Sequence, residues 1–319
     1  MMKKTILLSV LYIGFVVLSL EFITKPAPVN ELQRPTMVTT HNESPNLLDE
    51  IRTYANKNNT EPIDARLDRI WKAIPGYNGL TIDVEESYLA MWTNNEFDAE
   101  KLVYNEVPPK VHLTDLPPSP IYRGNPEKPM VTLLINVAWG NEFIPQILKT
   151  LDEHKVKATF FFDGSWVKKN PDLAKKIFNE NHEIGNHAYS HPDLKHKSPK
   201  ETEIELSKTN DVIKETLGIK PKWFAPPSGS FKQETITVAR KLDMLTILWT
   251  ADTVDWRNPS TSEMVKRVTS QVENGTMILM HPTRPTAEGL DSMIRDIKEK
   301  GYVLGTVSEM MSEERIAPQ

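Results

Sequence analysis

Cysteine is absent from this chain of 319 residues. Without it the protein can form no disulfide bond, no thiolate metal site and no cysteine nucleophile. A bound Zn²⁺ or similar ion would therefore need histidine and carboxylate ligands. An excess of positive charge is absent as well, because 38 lysines and arginines are outnumbered by 43 aspartates and glutamates, for a net charge of −5. Nothing in that balance favours nucleic acid as a partner.

Long hydrophobic runs are missing except for one near the N-terminus. Lys3 and Lys4 precede a continuous run of 15 apolar or small residues, from residue 6 to residue 20. A run of that length is marginal for spanning a bilayer, and a positive start before it is typical of a secretory signal. We therefore predict that residues 1–24 are a signal peptide or membrane anchor. The protein would then be secreted or anchored to the outer face of the cytoplasmic membrane, which it would contact through this segment only.

Composition divides the next part of the chain into three segments. Residues 25–60 are rich in Pro, Asn, Thr and Glu, which predicts a flexible tether. Residues 61–107 carry helical and alternating apolar patterns and predict a small α+β module, which we interpret as a packing or spacing domain. Residues 108–129 contain seven prolines in 22 residues, which predicts a stiff linker and a domain boundary.

From residue 130 to about residue 310 the pattern changes to alternating strands and helices. Apolar runs at 130–137 and 158–162 predict strands, and the helical spacing at 142–154 predicts the first connecting helix. This alternation predicts an α/β domain with a parallel sheet, either open or closed into a barrel. Chemistry in such folds gathers at the C-terminal ends of the strands, so polar residues just after a strand are the candidates for a site.

Two histidines follow one of these strands. His187 and His191 are four residues apart, a spacing that aims two imidazoles at one point, as in many metal sites. The spacing also arises by chance among surface histidines. The loop position favours the metal interpretation, because Gly185 and Asn186 precede the pair and Pro192 follows it.

A carboxylate and a third histidine follow two later strands. Asp255 comes after the strand that ends at Trp249, and His281 ends the strand at 277–280. A carboxylate that holds an imidazole is a common way to orient a general acid. The alternatives are that Asp252, the first carboxylate of this loop, is a turn carboxylate and that His281 is a core histidine with no chemical role.

Together with the proline-stiffened turn at 225–229, these segments resemble the polysaccharide deacetylases of the NodB homology family, carbohydrate esterase family 4. The resemblance covers residues 128–307, and its most specific stretches are 182–192, 158–162 and 252–256. Within the family, the chain looks like the secreted or membrane-tethered members of spore-forming Gram-positive bacteria.

The resemblance implies a distorted (β/α) barrel that binds a divalent metal, Zn²⁺ in the family, through one Asp and two His. It also implies removal of N-acetyl groups from N-acetylglucosamine or N-acetylmuramic acid in peptidoglycan or chitin-like polymers. A second Asp of the family activates water, and a His protonates the leaving amine.

Several positions of this chain match the family's site. His187 and His191 match the two metal histidines, His281 matches the general acid, and Asp255 matches the carboxylate that tunes it. The expected wall of the substrate site consists of Trp256, Pro226, Pro227 and Tyr189.

Other positions depart from the family's pattern. Its first motif, Thr-Phe-Asp-Asp-Gly, falls on residues 136–140, so that Ala138 replaces the base and Trp139 replaces the metal carboxylate. Ala225 stands where an Arg would steady that base. Loss of a general base costs about 10²–10⁴ in rate, and two neutral imidazoles offer no anionic ligand to the metal. We predict little or no turnover and poor metal binding, unless Asp163 or Asp193 approaches the ion.

Two function hypotheses follow. The first is a hydrolase that acts on carbon–nitrogen bonds of N-acetylated cell-wall glycan with weak activity. The second is a non-catalytic pseudoenzyme that binds glycan through flat aromatic faces, for which the sequence offers Trp139, Tyr189, Trp249 and Trp256. These aromatics could equally belong to the barrel core.

Overall fold

The computed structural model describes residues 45–316. The predicted signal or anchor segment, residues 1–24, lies outside this range. Within residues 45–316, no helix combines the length and the apolar character that crossing a bilayer requires. The chain divides into two compact units, of which the second begins at Ile51, and every strand of the described range belongs to it.

The first described helix, α1, covers Pro45–Asn58. The prediction of a flexible tether is therefore wrong for residues 45–58. Composition was a poor guide here because the segment is polar on average. Ile51 and Ala55 are one helical turn apart and buried, and this short apolar stripe stabilises a helix.

Short elements form an α+β arrangement between residues 61 and 107. Strands β1 (Arg66–Asp68) and β2 (Lys72–Ile74) form one antiparallel pair, and β3 (Gly79–Asp83) and β4 (Val103–Val107) form another. Helix α2 (Val84–Met91) begins at Asp83, whose side chain accepts a hydrogen bond from the backbone N–H of Glu86. The predicted limits of this module stay a prediction.

The proline-rich segment at 108–129 is bonded to its surroundings along its length. The Ile121 N–H donates to the carbonyl of Thr246, and the Ile121 carbonyl accepts from Leu248, at 2.9 and 2.8 Å. Asn125, which is fully buried, donates to the carbonyl of Pro75. The segment predicted as a linker is thus hydrogen-bonded to its neighbours and packs beside the large sheet.

The large sheet consists of eight strands: β5 Met130–Val137, β6 Thr159–Phe162, β7 Glu183–Asn186, β8 Trp223–Phe224, β9 Leu245–Thr246, β10 Ala251–Asp252, β11 Thr276–Met280 and β12 Val303–Gly305. It is parallel throughout, with the order β10-β11-β5-β6-β7-β8-β9 and with β12 also paired to β5. The sheet curls into a half-barrel, which confirms the predicted distorted (β/α) barrel.

Helices follow most of these strands and cover the sheet. Serine and threonine caps fix several helix starts, as at Ser198, which forms a capping box with Glu201. The helices are α3 Ile144–Glu153, α4 Gly164–Lys169, α5 Pro171–Asn179, α6 Pro199–Leu217, α7 Gln233–Lys241, α8 Thr261–Thr269, α9 Arg284–Glu299 and α10 Val307–Met311.

The core lies on both faces of the central strands. All eight residues of β5 and all four of β6 are buried, which explains why these strands read as continuous apolar runs and show no alternation. The largest cluster of buried side chains joins the central strands to α3 and α9. This core holds the C-terminal strand ends in a fixed arrangement, and the candidate site is built on those ends.

Candidate functional site

A cavity of about 410 Å³ lies at the C-terminal ends of the strands. Residues that follow β5, β7 and β11 line it, together with residues of the 225–229 turn and of the loops near β10. The polar residues that follow these strands therefore converge at one place.

The two histidines of the predicted pair both line this cavity. The imidazoles of His187 and His191 lie with their ring centroids 5.2 Å apart and their planes at 69°. The N–H of His187 donates to the carbonyl of Phe162, which ties the loop to the neighbouring strand. Glu205 holds the loop from the other side by accepting from the N–H groups of Tyr189 and Ser190.

His187 is held as a neutral imidazole. Its Nδ1 donates to the carbonyl of Ala225 at 2.7 Å. Complete burial, with a smaller contribution from His191, lowers the pKa of His187 to about 3. A neutral ring that donates from Nδ1 keeps an unprotonated Nε2, which can only accept a hydrogen bond.

Asp255 and His281 form the predicted pair. The Asp255 carboxylate is buried and contacts the His281 Nδ1 at 2.9 Å. It also accepts from the backbone N–H of His281 and from the hydroxyls of Thr283 and Thr286, at 2.7, 3.1 and 2.6 Å. Burial by itself would raise the pKa of Asp255, but the hydrogen bond and charge of His281 and the other donors outweigh it and hold that pKa below its ordinary value.

Trp139 covers the imidazole of this pair. Its ring lies parallel to that of His281, with the centroids 5.9 Å apart and 9° between the planes. The next residue, Gly140, has φ +82°, and a Cβ there would lie 1.9 Å from the carbonyl oxygen of Pro282. The end of β5 is therefore pressed against the end of β11, and Trp139 has to lie beside His281. Ala138 also lines the cavity, with a methyl group at the position of the family's base.

The 225–229 turn contributes differently from the prediction. Ala225, Pro226 and Pro227 are buried and do not line the cavity, whereas Ser228 does. Tyr189 is also outside the lining and lies under the Lys208 Nζ, 3.6 Å from the ring centroid. The turn thus directs Ser228 into the cavity, and the loop turns Tyr189 towards α6. Contact of Pro226, Pro227 and Tyr189 with a substrate stays a prediction.

Three tryptophans remain in the cavity wall. Trp256, which was predicted there, is 53% exposed, and Trp139 is 47% exposed. Trp249 is half-buried and packs on Gly229, which has φ +63° and where a Cβ would lie 2.7 Å from the indole. The sequence left the choice between core and groove open, and the structure places all three indoles in the groove.

Sequence reasoning gave no role to two polar residues of the lining. Asn136 is the last polar residue of β5 before its end, and Asp252 ends β10. A polar side chain within an otherwise apolar strand was the available signal for Asn136. Its Oδ1 is buried and has no hydrogen-bond partner within residues 45–316.

The residues present do not fit the metal that the family resemblance implies. Within the described range, no group of three or more His, Asp or Glu is arranged to hold an ion. Asp163 caps α4 by accepting from Trp166 and Ser165, and Asp193 accepts from Ser230 and Lys195. Neither carboxylate completes the histidine pair. Two neutral imidazoles alone supply no charge to balance a divalent ion.

Left-handed backbone is concentrated in the loops around the cavity. Five non-glycine residues there have φ between +51° and +60°: Ala188, His191, Ser228, Val254 and Asn258. Such conformations cost roughly 1–3 kcal/mol each and persist where the surrounding structure enforces them, typically at functional sites. Half of the ten non-glycine residues with positive φ in the described range thus lie in the loops around the cavity.

Comparisons with known proteins agree with this geometry. Residues 123–247 match the family model described as polysaccharide deacetylase. The chain is 34% identical over 201 residues to a peptidoglycan-N-acetylglucosamine deacetylase of Bacillus cereus, covering 61% of this chain and 73% of that one. It is 48% identical over 319 residues to the uncharacterized protein YlxY of Bacillus subtilis, covering 99% of each.

Solved structures give the same result. The wild-type Bacillus anthracis protein BA3943, described as a CE4 family pseudoenzyme, superposes with a TM-score of 0.81 at 48% identity, over 85% of this chain and 96% of that one. A BA3943 mutant described as having restored enzymatic activity has a TM-score of 0.81 at 47% identity, over 85% and 99% of the two chains. The half-barrel and its histidine-lined groove thus define a carbohydrate esterase scaffold. The chain belongs to the polysaccharide deacetylase family, carbohydrate esterase family 4.

Proposed function

We propose that this chain is a non-catalytic glycan-binding protein of the cell envelope. Its groove would bind N-acetylglucosamine-containing polysaccharide without hydrolysing it. The observation that carries this proposal is the position of Trp139, whose indole lies on His281 where the family resemblance expects a metal carboxylate.

The argument against turnover rests on the groups that would activate water. Ala138 has no atom that can accept a proton, and loss of a general base costs about 10²–10⁴ in rate. Within the part of the chain that the structure describes, no carboxylate joins His187 and His191 to hold an ion. The acid pair of Asp255 and His281 is intact, but an acid for the leaving amine has no role unless water first attacks the carbonyl.

The argument for binding rests on the groove itself. Trp139 and Trp256 leave about half of their surfaces exposed, although burial of a tryptophan stabilises a fold considerably. Flat indole faces beside a few polar groups are typical of sites that bind small, partly apolar ligands. Loops with strained backbone hold these rings in place, although the chain lacks the base that a catalytic site would need.

Several relatives point to the polymer. The Bacillus cereus protein is named as a peptidoglycan-N-acetylglucosamine deacetylase, and a Bacillus subtilis relative as a peptidoglycan-N-acetylmuramic acid deacetylase. Glycan of this class is therefore the ligand that we propose. The apolar run after Lys3 and Lys4 supports a location outside the cytoplasmic membrane, which a fusion of residues 1–44 to a reporter active only outside that membrane would test.

The central experiment measures binding and acetate release on the same full-length chain. We expect sedimentation with purified peptidoglycan, and no acetate release above that of a His281→Ala variant. Trp139→Ala and Trp256→Ala should each weaken binding by about tenfold, since loss of a stacked ring costs on the order of 1 kcal/mol or more. Trp92→Ala is the matched control, because Trp92 is 50% exposed outside the groove.

Two outcomes would overturn the proposal. Robust acetate release that depends on His281 would make the chain a deacetylase. Binding that is absent, or equally weakened by Trp92→Ala, would remove the groove as a glycan site.

A further inference from the structure

Polar side chains in the lining of the groove can accept hydrogen bonds. Asn136 is one of the lining residues, and its Oδ1 is buried and has no hydrogen-bond partner within residues 45–316. An unpaired buried carbonyl oxygen costs free energy, so the end of β5 has an unmet need for a hydrogen-bond donor.

His187 supplies a second acceptor. Its Nδ1 is bonded to the Ala225 carbonyl, so Nε2 is the ring nitrogen left for a ligand in the cavity. A metal ion would use that nitrogen in an active relative, but no third ligand completes such a site among residues 45–316. An imidazole nitrogen in this position can accept from an N–H donor.

Asp252 supplies a third acceptor and a negative charge. One of its oxygens, Oδ1, accepts from the N–H of Val254 at 2.8 Å, which fixes the carboxylate at the edge of the cavity. The other carboxylate near the site, Asp255, is already matched by four donors and lies behind His281. Asp252 is therefore the anionic group that faces the groove.

Cationic side chains do not balance this charge within the groove. No lysine or arginine is among the lining residues of the part of the chain that the structure describes. Arg257 lies over the Trp256 ring, 4.7 Å from its centroid, but is not part of the lining. The exposed indole of Trp139 adds an electron-rich face that attracts cations, whereas the Trp256 ring already has Arg257 over it.

An N-acetyl group gains less from this environment than an amine does. Its carbonyl cannot bond to the Asp252 carboxylate, and Trp139 occupies the metal-carboxylate position beside His281. A protonated amine carries three donors and a positive charge. The acceptors, the carboxylate and the Trp139 face all suit it.

We propose that the groove selects de-N-acetylated glucosamine units of a glycan over N-acetylated ones. The chain would then recognise the product of the reaction that its active relatives are named for. This inference rests on the proposed glycan binding and adds the chemical form of the sugar.

The test compares two sugars of equal length on the full-length chain by isothermal titration calorimetry. The probes are the tetramer of glucosamine and the tetramer of N-acetylglucosamine, at one pH and at low salt. We expect the amine tetramer to bind about tenfold more tightly or better, as charge-assisted hydrogen bonds contribute more than neutral ones. Added salt should reduce the difference in affinity between the two tetramers.

Asp252→Asn is the decisive variant. The asparagine keeps a carbonyl oxygen for the N–H of Val254, so the loop should hold its shape while the charge is lost. We expect the preference for the amine tetramer to fall about tenfold, with the affinity for the acetylated tetramer unchanged. Glu153→Gln, at the C-terminal end of α3 and outside the lining, removes the same charge elsewhere and should leave the preference intact.

The outcomes separate the two proposals. Equal affinity for both tetramers, or tighter binding of the acetylated one, would overturn the preference and leave glycan binding standing. A preference that survives in Asp252→Asn would also overturn it, since bulk negative charge would then be the cause. Failure of both tetramers and of peptidoglycan to bind would remove the proposed function as well.

Discussion

The indole of Trp139 lies parallel to the imidazole of His281, with 5.9 Å between the ring centroids. A bulky ring has replaced a charged oxygen, yet the histidine beneath it keeps its carboxylate partner at 2.9 Å. At the positions that the family resemblance assigns to the metal carboxylate and the base, the groove thus carries Trp139 and Ala138, while the pair matched to the family's acid keeps its contact.

Restoring the lost carboxylates should restore metal binding. In Ala138→Asp with Trp139→Asp, the second aspartate joins His187 and His191 as a third, anionic ligand, so we expect tight Zn²⁺ binding and measurable acetate release. Adding Ala225→Arg should raise the release further. Zn²⁺ titration of the wild type, the variant and the variant with His187→Ala measures the effect. Tight binding that survives His187→Ala would place the ion elsewhere.

The buried carboxylate of Asp255 should be important for stability. Asp255→Ala leaves the backbone N–H of His281 and the Thr283 and Thr286 hydroxyls without their acceptor, so the free energy of unfolding should fall by about 3 kcal/mol or more. Asp291→Ala is the control, because that exposed carboxylate pairs with His154 and Arg295 at the surface. It should change stability much less than Asp255→Ala does, because solvent screens an exposed ion pair. Equal losses in urea denaturation would contradict the expectation.

The close contact at Gly140 can be separated from its backbone conformation. Gly140→Ala should cost about 3 kcal/mol or more, because φ is +82° and the new Cβ would lie 1.9 Å from the Pro282 carbonyl oxygen. Gly218→Ala is matched for backbone, with φ +76° and no atom within 4 Å, and should cost only about 1–2 kcal/mol. Thermal unfolding of both variants checks the difference. A Gly140→Ala protein as stable as Gly218→Ala would mean that the end of β5 can move away from the Pro282 carbonyl at little cost in free energy.

Acid should destabilise the protein through His182. Burial, with the charge of Lys157 as a smaller cause, lowers the pKa of His182 to about 4, and its Nδ1 accepts from the N–H of Ala158. The unfolded chain binds the proton with a pKa near 6.5, so the neutral form stabilises the fold fully above that pH. That contribution is lost as pH falls towards 4, by about 2 kcal/mol between pH 7 and pH 5.

His182→Gln removes the titrating group and should make the free energy of unfolding less dependent on pH in this window. The control is His196→Gln, since that imidazole is 77% exposed. Denaturant titrations at several pH values between 4 and 7 measure both slopes. Identical slopes in wild type and His182→Gln would exclude this histidine as a source of acid sensitivity.

Two features of the chain could be predicted from the sequence alone, because they depend on local patterns. The buried runs at 130–137 and 158–162 alternate with helical segments, and this order predicts a parallel sheet whatever the packing details. The four-residue spacing of His187 and His191 after a strand also placed both rings correctly in the groove.

Other features depended on packing between distant segments. Composition suggested a tether at 45–58, but an apolar stripe makes that segment helical. Proline content suggested a spacer at 108–129, but Ile121 bonds to Thr246 and Leu248, more than 100 residues away in the sequence. No short sequence pattern indicates contacts between residues so far apart in the chain.

The sequence by itself determined the family, the order of strands and helices, and the loss of the carboxylates at 138 and 139, since these are matters of residue identity and spacing. Only the tertiary structure decided that Trp139 stacks on His281 and that Ser228 enters the groove where Pro226 and Pro227 were expected. It also decided that the Asn136 Oδ1 has no hydrogen-bond partner among the described residues. The physical reason is that a side chain's direction depends on loop dihedrals and on neighbours from other strands. Those neighbours meet only after the sheet has closed.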